Sequence, residues 1–280
     1  MSSPDDAPPP VAAGELLARR YRVIRHLARG KALDVYDVWS EERHALCVAK
    51  VARPDRADDA GTRRRLRREG RLLLRVTHPH LVRAYELVER PRPVVVLESL
   101  TGATLGYVID NRARCLPSGD LVYLGLQLCS AVRYLHSLGV LHLDLKPANI
   151  ISESGLVKVI DLSVARPPGR ARPGVGTRQY MSPEQARGGE LGPAADVWGV
   201  GAVLYAAATA RRPFYGLDEA TPYPQLDRPA ASVRTHRRLP ARLSQIVDSC
   251  LEPDPDERPT PEQLFDSLGE LAERTQEVAG

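Results

Sequence analysis

Residues 141–150 read LHLDLKPANI, which sets Asp144 two residues before Lys146 and five before Asn149. Asp161 follows seventeen residues after Asp144, in VIDLS (159–163). Two carboxylates, an amide and an ammonium on neighbouring loops suit one kind of chemistry. One carboxylate can act as a base, while the other carboxylate and the amide offer hard oxygen ligands of the sort Mg²⁺ takes. Taken singly each residue is weak, because Asp and Asn populate loops for conformational reasons alone. The lysine carries more weight. The chain has only four lysines, Lys31, Lys50, Lys146 and Lys158, against 35 arginines.

The elements that would carry these groups follow from the apolar pattern. YRVIRHL, LDVYDVW and ALCVAKV, within 21–52, read as three strands of a meander interrupted at 29–32 and 40–44, and the third contains Lys50. Residues 58–75, DDAGTRRRLRREGRLLLR, are predicted helical, with Leu66, Leu73 and Leu74 on one face and the arginines on a solvated remainder. Strands are expected again over LVRAYELV (81–88) and PVVVLES (93–99). Ser118 is expected to cap a helix in which Leu121, Leu124, Leu128, Ala131 or Val132, and Leu135 keep the helical period. That helix ends near Leu138, so Asp144 falls on the loop before a short strand, GLVKVI (155–160), which leads into Asp161. DVWGVGAVLYAAA (196–208) is apolar on most sides, as a central buried helix would be. A strand-rich first third and a helix-rich remainder predict an α+β chain of two lobes. Its expected divisions are a disordered Pro-rich stretch at 1–14, a first lobe at 15–98, a hinge at 99–104 and a second lobe at 105–280.

Composition narrows the function classes. The 280 residues, 43% apolar and 26% charged, provide for a sizeable core. A net charge of +4, spread over scattered arginines without interleaved aromatics, argues against a nucleic-acid partner. Cys47, Cys115, Cys129 and Cys250 include no C-x-x-C pair, so small thiols in a reducing cytoplasm are expected and a zinc site is not. The opening MSSPDDAPPPVAAGELLARR lacks the apolar region of a secretory signal. VGAVLYAAATA (200–210), the longest apolar stretch, is about half of the ~20 residues that a membrane helix needs. A cytoplasmic protein without a membrane partner is expected.

Taken in order, these segments resemble the eukaryotic-type (Hanks-type) serine/threonine protein kinases, in a bacterial-looking form. VAK with Lys50 is similar to the family's strand-three lysine motif, and Glu69 stands where the helix-C glutamate stands. HLDLKPAN (142–149) resembles the catalytic loop, DLS (161–163) the magnesium-binding triplet and SPE (182–184) the end of the activation segment. DVWGVG (196–201) and Arg258 match further landmarks, and the resemblance covers about residues 20–270. It implies the two-lobed protein-kinase fold, with a small antiparallel β-sheet lobe carrying one main helix and a larger, mainly α-helical lobe. The implied reaction moves the γ-phosphoryl group of ATP, with Mg²⁺ or Mn²⁺, to a protein hydroxyl. Lys50, held by Glu69, would pair with the α- and β-phosphates. Asp144 would accept the hydroxyl proton or orient the hydroxyl oxygen, and Lys146 would neutralise charge on the γ-phosphoryl group. Asn149 and Asp161 would hold the metal. Ala28, Gly30 and Val35 fall on the phosphate-covering loop, while Glu98 and Leu100 would offer backbone groups to adenine, between Ala49 and Ile151. Thr177 would lie near Asp144, and Arg258 would pair with Glu184.

Several positions depart from the family pattern. The phosphate-covering loop should read G-x-G-x-x-G-x-V, but ARGKALDV (28–35) keeps only Gly30 and Val35. Ala28 and Leu33 are expected to stiffen or lift that loop and to weaken ATP affinity. Lys31 either reaches a phosphate or is an exposed hairpin lysine. Leu143 replaces an arginine that in many relatives pairs with a phosphorylated activation loop, and residues 164–176 contain no Ser, Thr or Tyr. The two absences agree, so activity is expected to be independent of phosphorylation there. Arg166, Arg170 and Arg172 either favour acidic substrates or line a solvated loop. Leu162 and Ser163 take the places of phenylalanine and glycine. The alternative is a pseudokinase, a nucleotide-binding or scaffold protein; the presence of every charged group that the chemistry needs tilts the reading toward transfer. A small-molecule kinase of similar fold is disfavoured by GTRQYMSPE (176–184), which resembles a peptide-docking segment.

Overall fold

Alternating apolar residues draw the first hundred residues into six antiparallel strands: β1 (Leu16–Ala18), β2 (Tyr21–Arg29), β3 (Leu33–Ser40), β4 (Ala45–Ala52), β5 (Ala84–Val88) and β6 (Val94–Glu98). The computed structural model describes residues 8–18, 20–111, 115–214 and 222–279. Strand order is β1-β2-β3-β4-β6-β5. The sheet curls until its second and last strands meet, where the Tyr21 hydroxyl donates to Glu86 Oε2. Its two faces are chemically distinct. Tyr21, Val23, Tyr36, Val38, Cys47, Ala49, Val51, Val94 and Val96 form one buried cluster. On the opposite face Val35, Lys50 and Val95 are direct neighbours across β3, β4 and β6.

Helix α1 (Ala60–Leu73) packs on that second face. Asp59 caps it, its carboxylate accepting from the Thr62 amide at 2.7 Å. Thr62, Leu66, Glu69, Gly70 and Leu73 are buried. Leu74, expected on the same face, is 45% exposed, because it follows the last helical residue and is turned by about 100° from Leu73. A Cβ on Gly70 would lie 2.8 Å from Val95 Cγ2 and 2.9 Å from Leu87 Cδ1. The glycine therefore lets α1 settle onto β5 and β6, which brings its neighbour Glu69 down to the sheet.

Residues 8–14 correct one expectation. Composition suggested disorder through residue 14, yet the Val11 amide donates to the Tyr36 hydroxyl at 3.0 Å and its side chain packs on the sheet's core cluster. One apolar residue and the start of an edge strand suffice to anchor this stretch, while 1–7 lie outside the described residues.

By internal packing the chain divides into Met1–Thr101 and Gly102–Gly280. The second unit is mainly helical: α2 (Leu105–Asn111), α3 (Ser118–Ser137), α4 (Pro183–Arg187), α5 (Pro193–Thr209), α6 (Ala241–Ser249) and α7 (Pro261–Ala279). A small sheet joins β7 (Ala103–Thr104), β8 (Ile150–Glu153) and β9 (Leu156–Val159), and a strand pair joins β10 (Gly169–Ala171) to β11 (Gly189–Leu191). All the α3 residues assigned from the period are buried. Ser118 is not the cap, since it is the first helical residue and Pro117 occupies the cap position without a side-chain hydrogen bond. Every residue of α5 from Ala195 to Thr209 is buried, as a helix apolar on all sides requires. The pairing of a sheet unit carrying one main helix with a helical unit is the α+β arrangement implied by the sequence. The four cysteines are free thiols. Among the described residues no helix is long and apolar enough to cross a membrane.

One buried ion pair ties distant parts of the second unit together. Arg258 donates to both Glu184 oxygens at 2.7 and 2.9 Å, to the carbonyls of Ala194, Glu252 and Pro253, and lies over the Trp198 ring. The arginine side chain is fully enclosed. Replacing it with alanine leaves Glu184 and three carbonyls without their donor, so Arg258→Ala is expected to destabilise the chain by about 3–5 kcal/mol. Chemical denaturation followed by tryptophan fluorescence checks this; an unchanged midpoint would contradict it.

Candidate active site

In the first unit, Lys50 Nζ and Glu69 Oε1 stand 2.8 Å apart. Burial of both groups makes this pair far more directional than a surface ion pair. Lys50 sits between Val35 and Val95 in the cross-strand ladder, and Ala28 is the partner of Val35 on β2. Ala49 does not share that face. Strand alternation turns it into the opposite core, fully buried beside Tyr36 and Val96, so its expected place against adenine is corrected. Val48, two residues before Lys50 and partly exposed, occupies the face in question. The period of two alone could have shown this. Gly30 is exposed at the β2–β3 hairpin. The Glu98 amide donates to the Arg83 carbonyl at 2.9 Å, and Glu98 Oε1 accepts from the Arg83 amide at 2.9 Å. Leu100 follows two residues later, partly exposed.

In the second unit, the loop around Asp144 hangs from a buried carboxylate. Asp196, in the first turn of α5, accepts from the amides of His142 at 2.8 Å and Leu143 at 2.7 Å, and His136 Nε2 lies 2.8 Å from its Oδ2. Burial alone would raise the Asp196 pKa, but the hydrogen bond and charge of His136, with the Leu143 amide, hold it below the ordinary value. Leu143 takes a left-handed backbone, φ 64°. Its carbonyl accepts from Gln185 Nε2 at 2.8 Å, and Gln185 also reaches the Val175 carbonyl at 2.7 Å. The backbone passes so close here that a Cβ on Gly176 would lie 2.4 Å from the Leu143 carbonyl oxygen. That glycine delivers Thr177 to the loop.

Four candidate side chains meet as a result. Lys146 Nζ donates to Asp144 Oδ2 at 2.8 Å and to Thr177 Oγ1 at 2.7 Å. Asn149 Nδ2 donates to the Asp144 carbonyl at 2.9 Å and to its Oδ2 at 3.1 Å. This orientation leaves the amide oxygen of Asn149 as its remaining acceptor. Asp144 Oδ1 is buried and has no hydrogen-bond partner among the described residues, an arrangement that awaits a donor. The Ile160 amide donates to the Asn149 carbonyl at 3.0 Å, which ties the stretch leading to Asp161 to the same loop. Asp161 Oδ1 accepts from the Ser163 amide at 2.9 Å. On β8, Ile150 is buried and Ile151 partly exposed, as strand alternation demands.

The sequence reading missed the groups that hold this loop. Asp196 was visible as the one acid in an apolar helix, and His136 as a polar residue near the end of α3, but no local pattern links either to residue 142. The sequence marks Leu143 only as a missing arginine. It is buried with Leu141, Leu191 and Ala195, and Val164, Ala171 and Val175 of the following segment pack against this cluster.

A comparison with known families finds that the model described as the protein kinase domain matches residues 21–268. The chain is 30% identical over 253 residues to the probable serine/threonine-protein kinase SCO3848 of Streptomyces coelicolor, an alignment covering 86% of this chain and 36% of that one. It is 32% identical over 259 residues to the serine/threonine-protein kinase PknB of Mycolicibacterium smegmatis, covering 86% and 41% respectively. PknB of Mycobacterium tuberculosis is 32% identical over 258 residues, with the same coverage of 86% and 41%. The chain thus spans no more than about two fifths of the length of these curated relatives.

His142 gives a pH test of the loop. Its Nδ1 accepts from the Asp144 amide, so the neutral ring carries its proton on Nε2. Burial pushes its pKa below 6.5, and Lys146 adds to this, against the opposing pull of Asp196, Asp144 and Asp161. The unfolded chain takes up a proton near 6.5 while the folded one does not, so stability is full above that pH and falls as pH drops toward the lowered folded value. Denaturation midpoints measured between pH 8 and 5 should decline, and His142→Asn, which keeps an acceptor for the Asp144 amide, should decline less; identical slopes would contradict this origin.

Proposed function

Because the chain belongs to the protein kinase domain family, we propose that it is a serine/threonine protein kinase that transfers the γ-phosphoryl group of ATP to protein hydroxyls. The observation that carries this reading is the cluster of Lys146, Asp144, Asn149 and Thr177, with one buried carboxylate oxygen left without a donor. A substrate hydroxyl supplies that donor. Asp144 accepts its hydrogen bond and then its proton, while Lys146, already held between Asp144 and Thr177, offsets charge on the phosphoryl group in flight. Asp144 keeps Oδ2 engaged with two donors and so presents Oδ1 in a fixed direction.

Lys50, fixed by Glu69, pairs with the α- and β-phosphates. In the first unit Ala28, Gly30, Val35 and Val48 and the backbone of Glu98 and Leu100 are assigned to the nucleotide, and in the second unit Ile151. The free amide oxygen of Asn149 and the Asp161 carboxylate are hard donors that fit Mg²⁺ or Mn²⁺. When bound, that ion neutralises phosphate charge in the transfer. A scaffold that transfers nothing has no use for this set of pre-oriented charges, which weighs against the pseudokinase alternative. Acceptors flanked by acidic residues suit Arg170 and Arg172, both exposed, and Arg166 beside them. The four free thiols suit a reducing cytoplasm.

Regulation follows from the same residues. Where many relatives hold the activation segment by an arginine and a phosphate, this chain packs Val164, Ala171 and Val175 on the Leu143 cluster. The segment is ordered by apolar burial and requires no charge. Treatment with a phosphatase is therefore expected to leave the transfer rate unchanged; a loss of rate would contradict this.

The function itself is tested with labelled ATP, Mg²⁺ or Mn²⁺ and a generic protein acceptor. Asp144→Asn is expected to lower transfer by about 10²- to 10⁴-fold while nucleotide binding persists. Equal transfer in both proteins would remove the proposed role of Asp144, and binding without transfer in either would favour the scaffold.

A further inference from the structure

The β2–β3 hairpin lacks two of the three glycines that its family motif expects, yet it closes without a left-handed residue, its ladder interrupted only by register shifts between Val23 and Arg25 and between His26 and Ala28. Neither Ala28, Gly30 nor Leu33 adopts a positive φ, and the turn closes through the Gly30 amide and the Leu33 carbonyl at 2.8 Å. Nothing in this backbone uses the freedom glycine supplies. What holds the hairpin lies behind it. Arg29 and Asp34 are the last cross-strand pair before the turn. Arg29 donates to both Asp34 oxygens, Nε at 2.8 Å and Nη2 at 2.9 Å. Tyr36 Oη donates to Asp34 at 3.3 Å, and His26 Nε2 stands 3.3 Å from it. Asp34 is fully buried.

The network extends backward into the N-terminal stretch and forward into the end of β4. Arg29 Nη1 donates to the Pro8 carbonyl at 2.8 Å, and the Val11 amide donates to the same Tyr36 hydroxyl at 3.0 Å. The Arg53 amide donates to the Ala32 carbonyl at 3.0 Å, and Arg53 Nη1 reaches the Gly30 carbonyl at 3.3 Å. Arg53 is itself clamped to Asp55 at 2.9 and 3.1 Å. The hairpin tip is thus pinned at Gly30, Ala32 and Asp34. Strand alternation places Asp34 on the sheet face opposite Val35 and Lys50, so these pins leave the nucleotide-facing side clear.

A buried carboxylate–arginine pair is a poor source of stability, since an apolar pair of like volume is often as stable or more so. Its benefit here is directional. We propose that Asp34 is a positioning residue for phosphoryl transfer, fixing from behind the height of the β2–β3 hairpin over the ATP phosphates, in place of the glycine-dependent closure the chain has lost. This rests on the kinase reading and deepens it, because the loop is set before nucleotide arrives. Burial tends to raise the Asp34 pKa, but Arg29 and His26 outweigh it and keep the carboxylate ionised.

The test uses the full chain and two variants, Asp34→Asn and the double variant Arg29→Met with Asp34→Leu, which replaces the pair by apolar side chains. Both are expected to raise KM for ATP by about fivefold or more while kcat and KM for the protein acceptor stay within about twofold. The double variant should keep the parent's unfolding midpoint. A fall in midpoint with KM for ATP unchanged would overturn the proposal and leave Asp34 a structural residue. If the parent itself transfers no phosphate, the kinase reading fails, and the positioning claim is then judged by calorimetry with MgATP. A weakening of about fivefold in the double variant supports it, whereas equal affinity, or no binding by the parent, overturns it.

Discussion

Two amide hydrogen bonds to the Asp196 carboxylate hold the loop that carries Asp144, Lys146 and Asn149. They hold Leu143 in a left-handed conformation, which costs a non-glycine residue about 1–2 kcal/mol. Each bond to a charged acceptor contributes about 1.5–3 kcal/mol, so the pair outweighs the strain. Burying Asp196 is costly in turn, and the cost is offset by His136, by both amides and by the N-terminus of α5. Each partner depends on the others. Removing the carboxylate frees a strained turn and two buried amides at once.

Leu143 links this turn to the segment that follows. Its carbonyl is fixed by Gln185, which the Ser182 capping box orients, and its side chain anchors the apolar cluster on which Val164, Ala171 and Val175 pack. Backbone and side chain of one residue thereby order both the loop around Asp144 and the segment from Val164 to Val175. A leucine does for this chain, through burial, what a charged pair does elsewhere through electrostatics. Burial of apolar side chains is less sensitive to salt than a charged pair is.

Much of the site was legible in the residues. Lysine at 50 and 146 in an arginine-rich chain singles out two candidate positions, and both sit on carboxylates. The apolar period of 121–135 and the continuous apolar run of 196–208 gave the two central helices of the second unit. Motif spacing misplaces Ala49, whose face is set by strand alternation, and the helical period misplaces Leu74, because the helix ends at Leu73. Asp34, Asp196 and Gln185 escaped notice for a different reason. Asp196 and Gln185 depend on partners 42, 53, 54 and 60 residues away, while Asp34 depends on partners 2, 5 and 8 residues away, of which Arg29 and His26 reach it only once the hairpin closes.

The same logic of indirect support recurs in both units. Asp34 and Asp196 are buried carboxylates set behind a loop, each holding it through hydrogen bonds. For the second, the decisive measurement is the transfer rate of Asp196→Asn, with far-ultraviolet circular dichroism as the control for folding. The two backbone N–H groups go to different carboxylate oxygens and asparagine keeps only one of these, so transfer is expected to fall by about 100-fold or more with the fold retained. A folded variant that transfers phosphate at the parent's rate would contradict the account.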